Sequence, residues 1–130
     1  MPEALEQAAL AARNNAHAPF SRFRVGAAIE DVHGHIHTGC NVENATYGLT
    51  VCAERVAVFK AISEGLRPGQ FRRIAIAADT DELTPPCGAC RQILWEFLGD
   101  VPVTLVNLIG KHETISLKEL FPRAFDANSL

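Results

Sequence analysis

Three cysteines and one glutamate are spaced so that their side chains can act together. Cys52 and Glu54 lie in Cys52-Ala53-Glu54, and Cys87 and Cys90 lie in Pro86-Cys87-Gly88-Ala89-Cys90. A Cys-x-x-Cys pair can offer two sulfurs to one zinc ion at a bond length of about 2.3 Å, and a third thiolate from Cys52 completes three protein ligands. Zinc favours four ligands, so the fourth position stays open for a water that ionises near neutral pH. A carboxylate two residues from a ligand, and not needed for binding, can accept that water's proton and pass it on, which is the role expected of Glu54. Three thiolates around a doubly charged ion leave the site net negative, a condition that nearby positive charge would relieve. Arg55, next in the chain, can donate hydrogen bonds to ligand sulfurs.

Two plainer readings compete. A lone Cys-x-x-Cys also fits a redox pair, or half of a structural zinc site in which Cys40 supplies the fourth ligand. The full set, Cys-x-Glu followed by Pro-Cys-x-x-Cys, is far rarer and matches the zinc-deaminase signature, with cysteine where the first ligand can also be histidine. Cys40 then reads as a small buried hydrophobe at the end of a hairpin.

Regular elements must bring these segments together. Helical spacing of Leu5, Ala8, Ala9 and Ala12 predicts a helix over 3–15. Alternation through Phe23, Val25, Ala27 and Ile29, a turn at His33-Gly34 and a strand over 36–39 predict a β-hairpin. Helices are expected over 50–64 and 87–98, strands over 73–78 and 101–109, a short edge strand over 112–115, and a last helix over 117–121 capped by Ser116. A hairpin followed by alternating helices and strands implies an α/β fold, a three-layer α/β/α sandwich on a mixed sheet of about five strands. Both cysteine segments then start helices, whose N-termini direct partial positive charge at the thiolates.

Composition narrows the function. The chain has 130 residues, 48% apolar, with a formal charge of -3, which suits a single domain over 1–130. Its 12 basic residues form no run, which argues against nucleic acid as a partner. The acidic amphipathic start and the lack of a long apolar run argue against secretion and a membrane, so a reducing cytoplasm is expected, where four clustered cysteines more often bind metal than pair as disulfides. The short chain also favours oligomerisation.

Over nearly its whole length the sequence resembles the small cytidine deaminases that act on free nucleosides, of the three-cysteine homotetrameric type. The matching segments are 18–28 (APFSRFRVGAA), 39–55 (GCNVENATYGLTVCAER) and 86–92 (PCGACRQ). The resemblance implies one Zn2+ per subunit on Cys52, Cys87 and Cys90, proton transfer by Glu54, and hydrolysis of cytidine and 2'-deoxycytidine to uridine and 2'-deoxyuridine in pyrimidine salvage. It also implies that Asn41 and Glu43 bind the ribose, that Phe23 lines the pyrimidine pocket, and that backbone near Ala53 and Cys87 orients the base. Phe125 resembles the aromatic residue that closes over the base from a neighbouring subunit. Phe20 and Thr46 depart from the family's usual tyrosine and serine.

His33, His35 and His37 alternate, so on a strand they would share one face; they are expected to be surface residues and not a metal site. Three rivals remain: a deaminase of the same fold acting on a cytosine-bearing antibiotic such as blasticidin S, an RNA- or DNA-editing enzyme, and a non-catalytic zinc-stabilised module closed by Cys40. The Asn41-Val42-Glu43-Asn44-Ala45 stretch favours a nucleoside over the first, and the acidic balance disfavours the second.

Overall fold

The computed structural model describes residues 3–130. Five strands form one mixed sheet in the order β2-β1-β3-β4-β5. They are β1 (Val25–Asp31), β2 (Ile36–Cys40), β3 (Phe71–Ala78), β4 (Pro102–Val106) and β5 (His112–Ser116). The hairpin pairs β1 with β2 antiparallel, and β1 also runs antiparallel to β3. Strands β3 and β4 are parallel, and β5 returns antiparallel to β4.

Helices cover both faces, because β1 and β3 are apolar at successive positions and not only at alternate ones. Ala28, Ala75 and Ala77 point to one side, where they form a small core with Leu5 and Ala9 of α1 (Ala4–Arg13). Ala27, Ile29, Ile74 and Ile76 point to the other and join the main core. There they meet Ala57 and Val58 of α2 (Ala53–Ser63) and Leu94 of α3 (Gly88–Leu98). A short α4 (Leu117–Leu120) follows β5, with Ser116 capping it by accepting from the Glu119 N–H at 3.2 Å. The expected α/β/α sandwich is therefore present.

Two glycines set how closely the helices sit. A Cβ on Gly26 of β1 would lie 2.0 Å from the Ala9 carbonyl of α1, and one on Gly39 of β2 would lie 2.5 Å from the Ala53 carbonyl of α2. Each helix therefore rests directly on bare backbone. At Gly39 this fixes the first turn of α2, which carries the Cys52–Glu54 segment.

Several expected boundaries move. The first helix stops at Arg13, and β1 begins at Val25, leaving Phe23 on the approach to the strand. The helix expected over 50–64 starts at Ala53, because Val51 pairs in extended conformation with Val42 and Cys52 is the cap. The strand expected over 101–109 ends at Val106, because the buried Asn107 builds a turn: its Oδ1 accepts from the N–H groups of Ile109 and Lys111, and its Nδ2 donates to the carbonyls of Thr80 and Asp81. The histidines do not share an exposed strand face. His33 and His35 lie in the hairpin turn and donate backbone N–H bonds to the Asp31 carboxylate, and the His37 ring, 11% exposed, meets the same carboxylate at 2.9 Å.

Candidate active site and metal centre

The ends of α2 and α3 meet at one point. Cys52 and Cys87 are the N-cap residues of those helices, just outside the first turn, and Cys90 lies in the first turn of α3. The Cys87 sulfur accepts from the Cys90 N–H at 3.4 Å, so the helix end itself turns donor groups toward the thiols. Among the described residues, Cys52, Cys87 and Cys90 form one group whose sulfurs lie within 4.8 Å of one another. The Cys52 and Cys87 sulfurs are 3.9 Å apart. Tetrahedral ligation at about 2.3 Å would set sulfurs about 3.8 Å apart, so the geometry fits zinc.

The electrostatics fit as well. Hydrogen bonding to Cys90 and to Arg55 draws the Cys52 thiol well below its ordinary range, while that same Cys52 contact and burial push Cys90 above it. Three thiols this close cannot all ionise unless a cation compensates them. Arg55 supplies one charge, its Nη2 donating to the Cys52 sulfur at 3.3 Å, which in turn raises the Arg55 pKa. The Nε of Arg55 is buried without a hydrogen-bond partner.

Glu54 is 5% exposed and points into the same space. Burial, above all, pushes its pKa up to about 7, and the charge of Cys52 adds to the rise. It lines a cleft of about 240 Å³ together with Cys52, Ala53 and Cys87. Phe23, Asn41 and Glu43 line the same cleft, so six of the site residues expected besides Glu54 converge on one cavity. A larger hollow of about 460 Å³, between α3 and residues 125–130, contains neither cysteine nor histidine.

Asn41 and Glu43 are already tied to the backbone. Asn41 accepts from the Val25 N–H at 2.9 Å and donates to the Phe23 carbonyl at 2.7 Å. Glu43 accepts from the N–H groups of Phe20 and Ser21 and from the Ser21 hydroxyl, contacts that hold its carboxyl below the usual range. Ser21 also accepts from the Phe23 N–H, so it links the carboxylate to the aromatic wall. Sequence reasoning missed Ser21, Val25, Thr50 and Pro85 as lining residues; the signal for the first three was that they lie inside the matched segments 18–28 and 39–55.

Phe125 does not line this cleft. It is 56% exposed, beyond α3, with its carbonyl bonded to the Gln92 side chain. Phe20, in place of the expected tyrosine, packs edge-on against Tyr47 with ring centres 5.6 Å apart. Cys40 pairs with Gly26, and that sheet face lies against α1, away from the cysteine group.

Three convergent thiols, a buried carboxylate that holds or releases a proton near neutrality, and a small cleft together define a metal-assisted hydrolytic site. The family model for the cytidine and deoxycytidylate deaminase zinc-binding region matches residues 2–105. The chain is 50% identical over 94% of its length to a cytidine deaminase of Halalkalibacterium halodurans, 92% of which is covered. It is 48% identical over 92% to one of Sporosarcina psychrophila, 87% of which is covered. The crystal structure of cytidine deaminase from Burkholderia pseudomallei superposes with a TM-score of 0.93 at 47% identity, covering 96% of this chain and 100% of that one. The chain belongs to the cytidine deaminase family.

Proposed function

We propose that this chain hydrolyses free cytidine and 2'-deoxycytidine to uridine and 2'-deoxyuridine, with one zinc per subunit, as a cytoplasmic homotetramer serving pyrimidine salvage. The observation that carries this reading is the placement of Glu54: a buried carboxyl in one small cleft with two of the three convergent cysteines. The match to cytidine deaminases over nearly the whole chain supports the substrate.

Cys52, Cys87 and Cys90 would hold the zinc, which when bound supplies Lewis-acid activation of the attacking water. Glu54 accepts a proton from that water as oxygen adds to carbon 4 of the ring. The carboxyl then protonates ring nitrogen 3. As the amine leaves, Glu54 carries the remaining hydroxyl proton to it, so ammonia departs, a carbonyl forms, and the carboxylate is restored. Burial raises the Glu54 pKa above the ordinary carboxylate range, as suits a group that must both take and return protons. Arg55 offsets the charge of the thiolates through Cys52.

Asn41 and Glu43 read the sugar. The Asn41 amide keeps a free N–H and a free lone pair, and the Glu43 carboxylate keeps a lone pair, so both can still bond hydroxyls while the backbone holds them rigid. Phe23 and the Ala53 backbone flank the base. The cleft's 240 Å³ falls below the about 300–1,000 Å³ of ordinary ligand sites, as suits a pocket completed by another subunit, with Phe125 of a neighbouring copy as the closing wall.

An ultraviolet assay of the purified protein tests the reading. Cytidine and deoxycytidine are expected to be converted and blasticidin S left unchanged; turnover of blasticidin S alone would overturn it.

A further inference from the structure

Arg91 follows the last cysteine and reaches backward and outward at once. Its Nε donates to the Pro86 carbonyl at 2.8 Å, and its Nη1 donates to the Leu120 carbonyl. Pro86 is fully buried and immediately precedes Cys87. Leu120 ends α4, where the last carbonyls lack partners inside the helix. A guanidinium is a planar fork, so one rigid group fixes the two carbonyls relative to each other.

The same helix continues the link. Gln92 donates to the Phe125 carbonyl at 2.9 Å, and the Trp95 indole donates to Asp126 at 3.0 Å. Helix α3 therefore begins at the cysteine group and fastens the C-terminal segment along its side. Cys87 caps α3, its carbonyl accepting from the Arg91 N–H at 2.9 Å and its sulfur from the Cys90 N–H at 3.4 Å, but the chain reaches it through a segment without regular structure, and the Arg91 bond to the Pro86 carbonyl ties down that approach.

We propose that Arg91 is a positioning residue for the metal centre. By clamping the Pro86 carbonyl to the end of α4, it holds Cys87 at ligand distance from Cys52 and Cys90 and makes zinc retention depend on the docked C-terminal segment. The proposal rests on the reading that these cysteines bind zinc. Outer partners that orient ligands are worth about 10–100-fold in metal affinity.

The test is zinc release to a chromogenic chelator from full-length, zinc-loaded protein, alongside thermal unfolding. Arg91→Gln is expected to bind zinc about 10–100-fold more weakly than wild type. Arg91→Lys, a single point donor, falls between them. Gly26→Ala, which strains the opposite face of the sheet, is expected to release zinc at the wild-type rate despite a lower unfolding temperature. Wild-type retention in Arg91→Gln, or equal loss from Gly26→Ala, overturns the clamp alone. If Arg91→Gln does not fold, Arg91→Lys is judged by the same criterion. A wild-type protein that takes up no zinc overturns both the clamp and the functional reading.

Discussion

Replacing Gly39 with alanine should cost activity out of proportion to stability. The added Cβ would lie 2.5 Å from both the Ala53 carbonyl and the Ala57 nitrogen, about 0.9 Å inside ordinary contact. Both opposing atoms are helix backbone, so no side chain can turn aside and α2 itself must move. Overpacking of this kind costs about 1–3 kcal/mol. For a chain of this size, that lowers the unfolding temperature by about 4–15 °C. The larger consequence is positional. Helix α2 carries Cys52 at its cap and Glu54 in its first turn, and a misplacement of about 1 Å in a catalytic array costs about 10²-fold in rate. Gly26→Ala is the matched control: its Cβ would lie 2.0 Å from the Ala9 carbonyl, a tighter clash, but one that displaces α1 on the opposite face. The assay is kcat/KM on cytidine per folded molecule, measured well below both unfolding transitions. Gly39→Ala should lose about 10²-fold while Gly26→Ala keeps wild-type turnover. Equal losses in the two variants would refute the argument, because activity would then be tracking stability.

Asp31→Ala removes the acceptor shared by the His33 and His35 N–H groups and the partner of His37, and should cost about 1–3 kcal/mol in denaturant unfolding. Asp31 also gives a pH test. Contact with His37, foremost, lowers its pKa from 3.8 to about 2, so its stabilisation is complete above 3.8 and is lost as pH falls toward 2. Asp31→Asn should flatten the stability profile across that window, and an unchanged acid limb would contradict the assignment. Cys40→Ser should leave zinc content at one per chain, measured by metal analysis, because Cys40 pairs with Gly26 on the face toward α1; loss of zinc would revive a four-cysteine structural site.

The chemistry was legible because it resides in short, local spacing. Cys52, Glu54, Cys87 and Cys90 are each separated from a partner by one or two residues, and helix and strand periodicity sufficed to place both segments at helix starts. What escaped depends on side chains that replace backbone partners over long separations. Asn107 ends β4 early by satisfying four backbone groups from the turns around it, while apolar periodicity alone runs on through Leu108 and Ile109. Asp31 organises the hairpin and buries His37, a pairing invisible to a rule that treats polar turn residues as solvated. Arg91 escaped for the same reason, since its two carbonyl partners lie 5 and 29 residues away. Phe125 shows a different limit: it does not line the cleft of the single chain, so the role proposed for it requires a second copy.

The central claim, that Glu54 moves the protons of a zinc-assisted hydrolysis, is tested most directly by Glu54→Gln. The amide keeps the size of the side chain but cannot take up a proton. Single-turnover kinetics with cytidine, paired with metal analysis and nucleoside binding, should show zinc and ligand retained and the chemical step slowed by about 10²–10⁴-fold or more. A Glu54→Gln protein that retains zinc and converts cytidine within about tenfold of the wild-type rate, a barrier change of only about 1.4 kcal/mol, would contradict it.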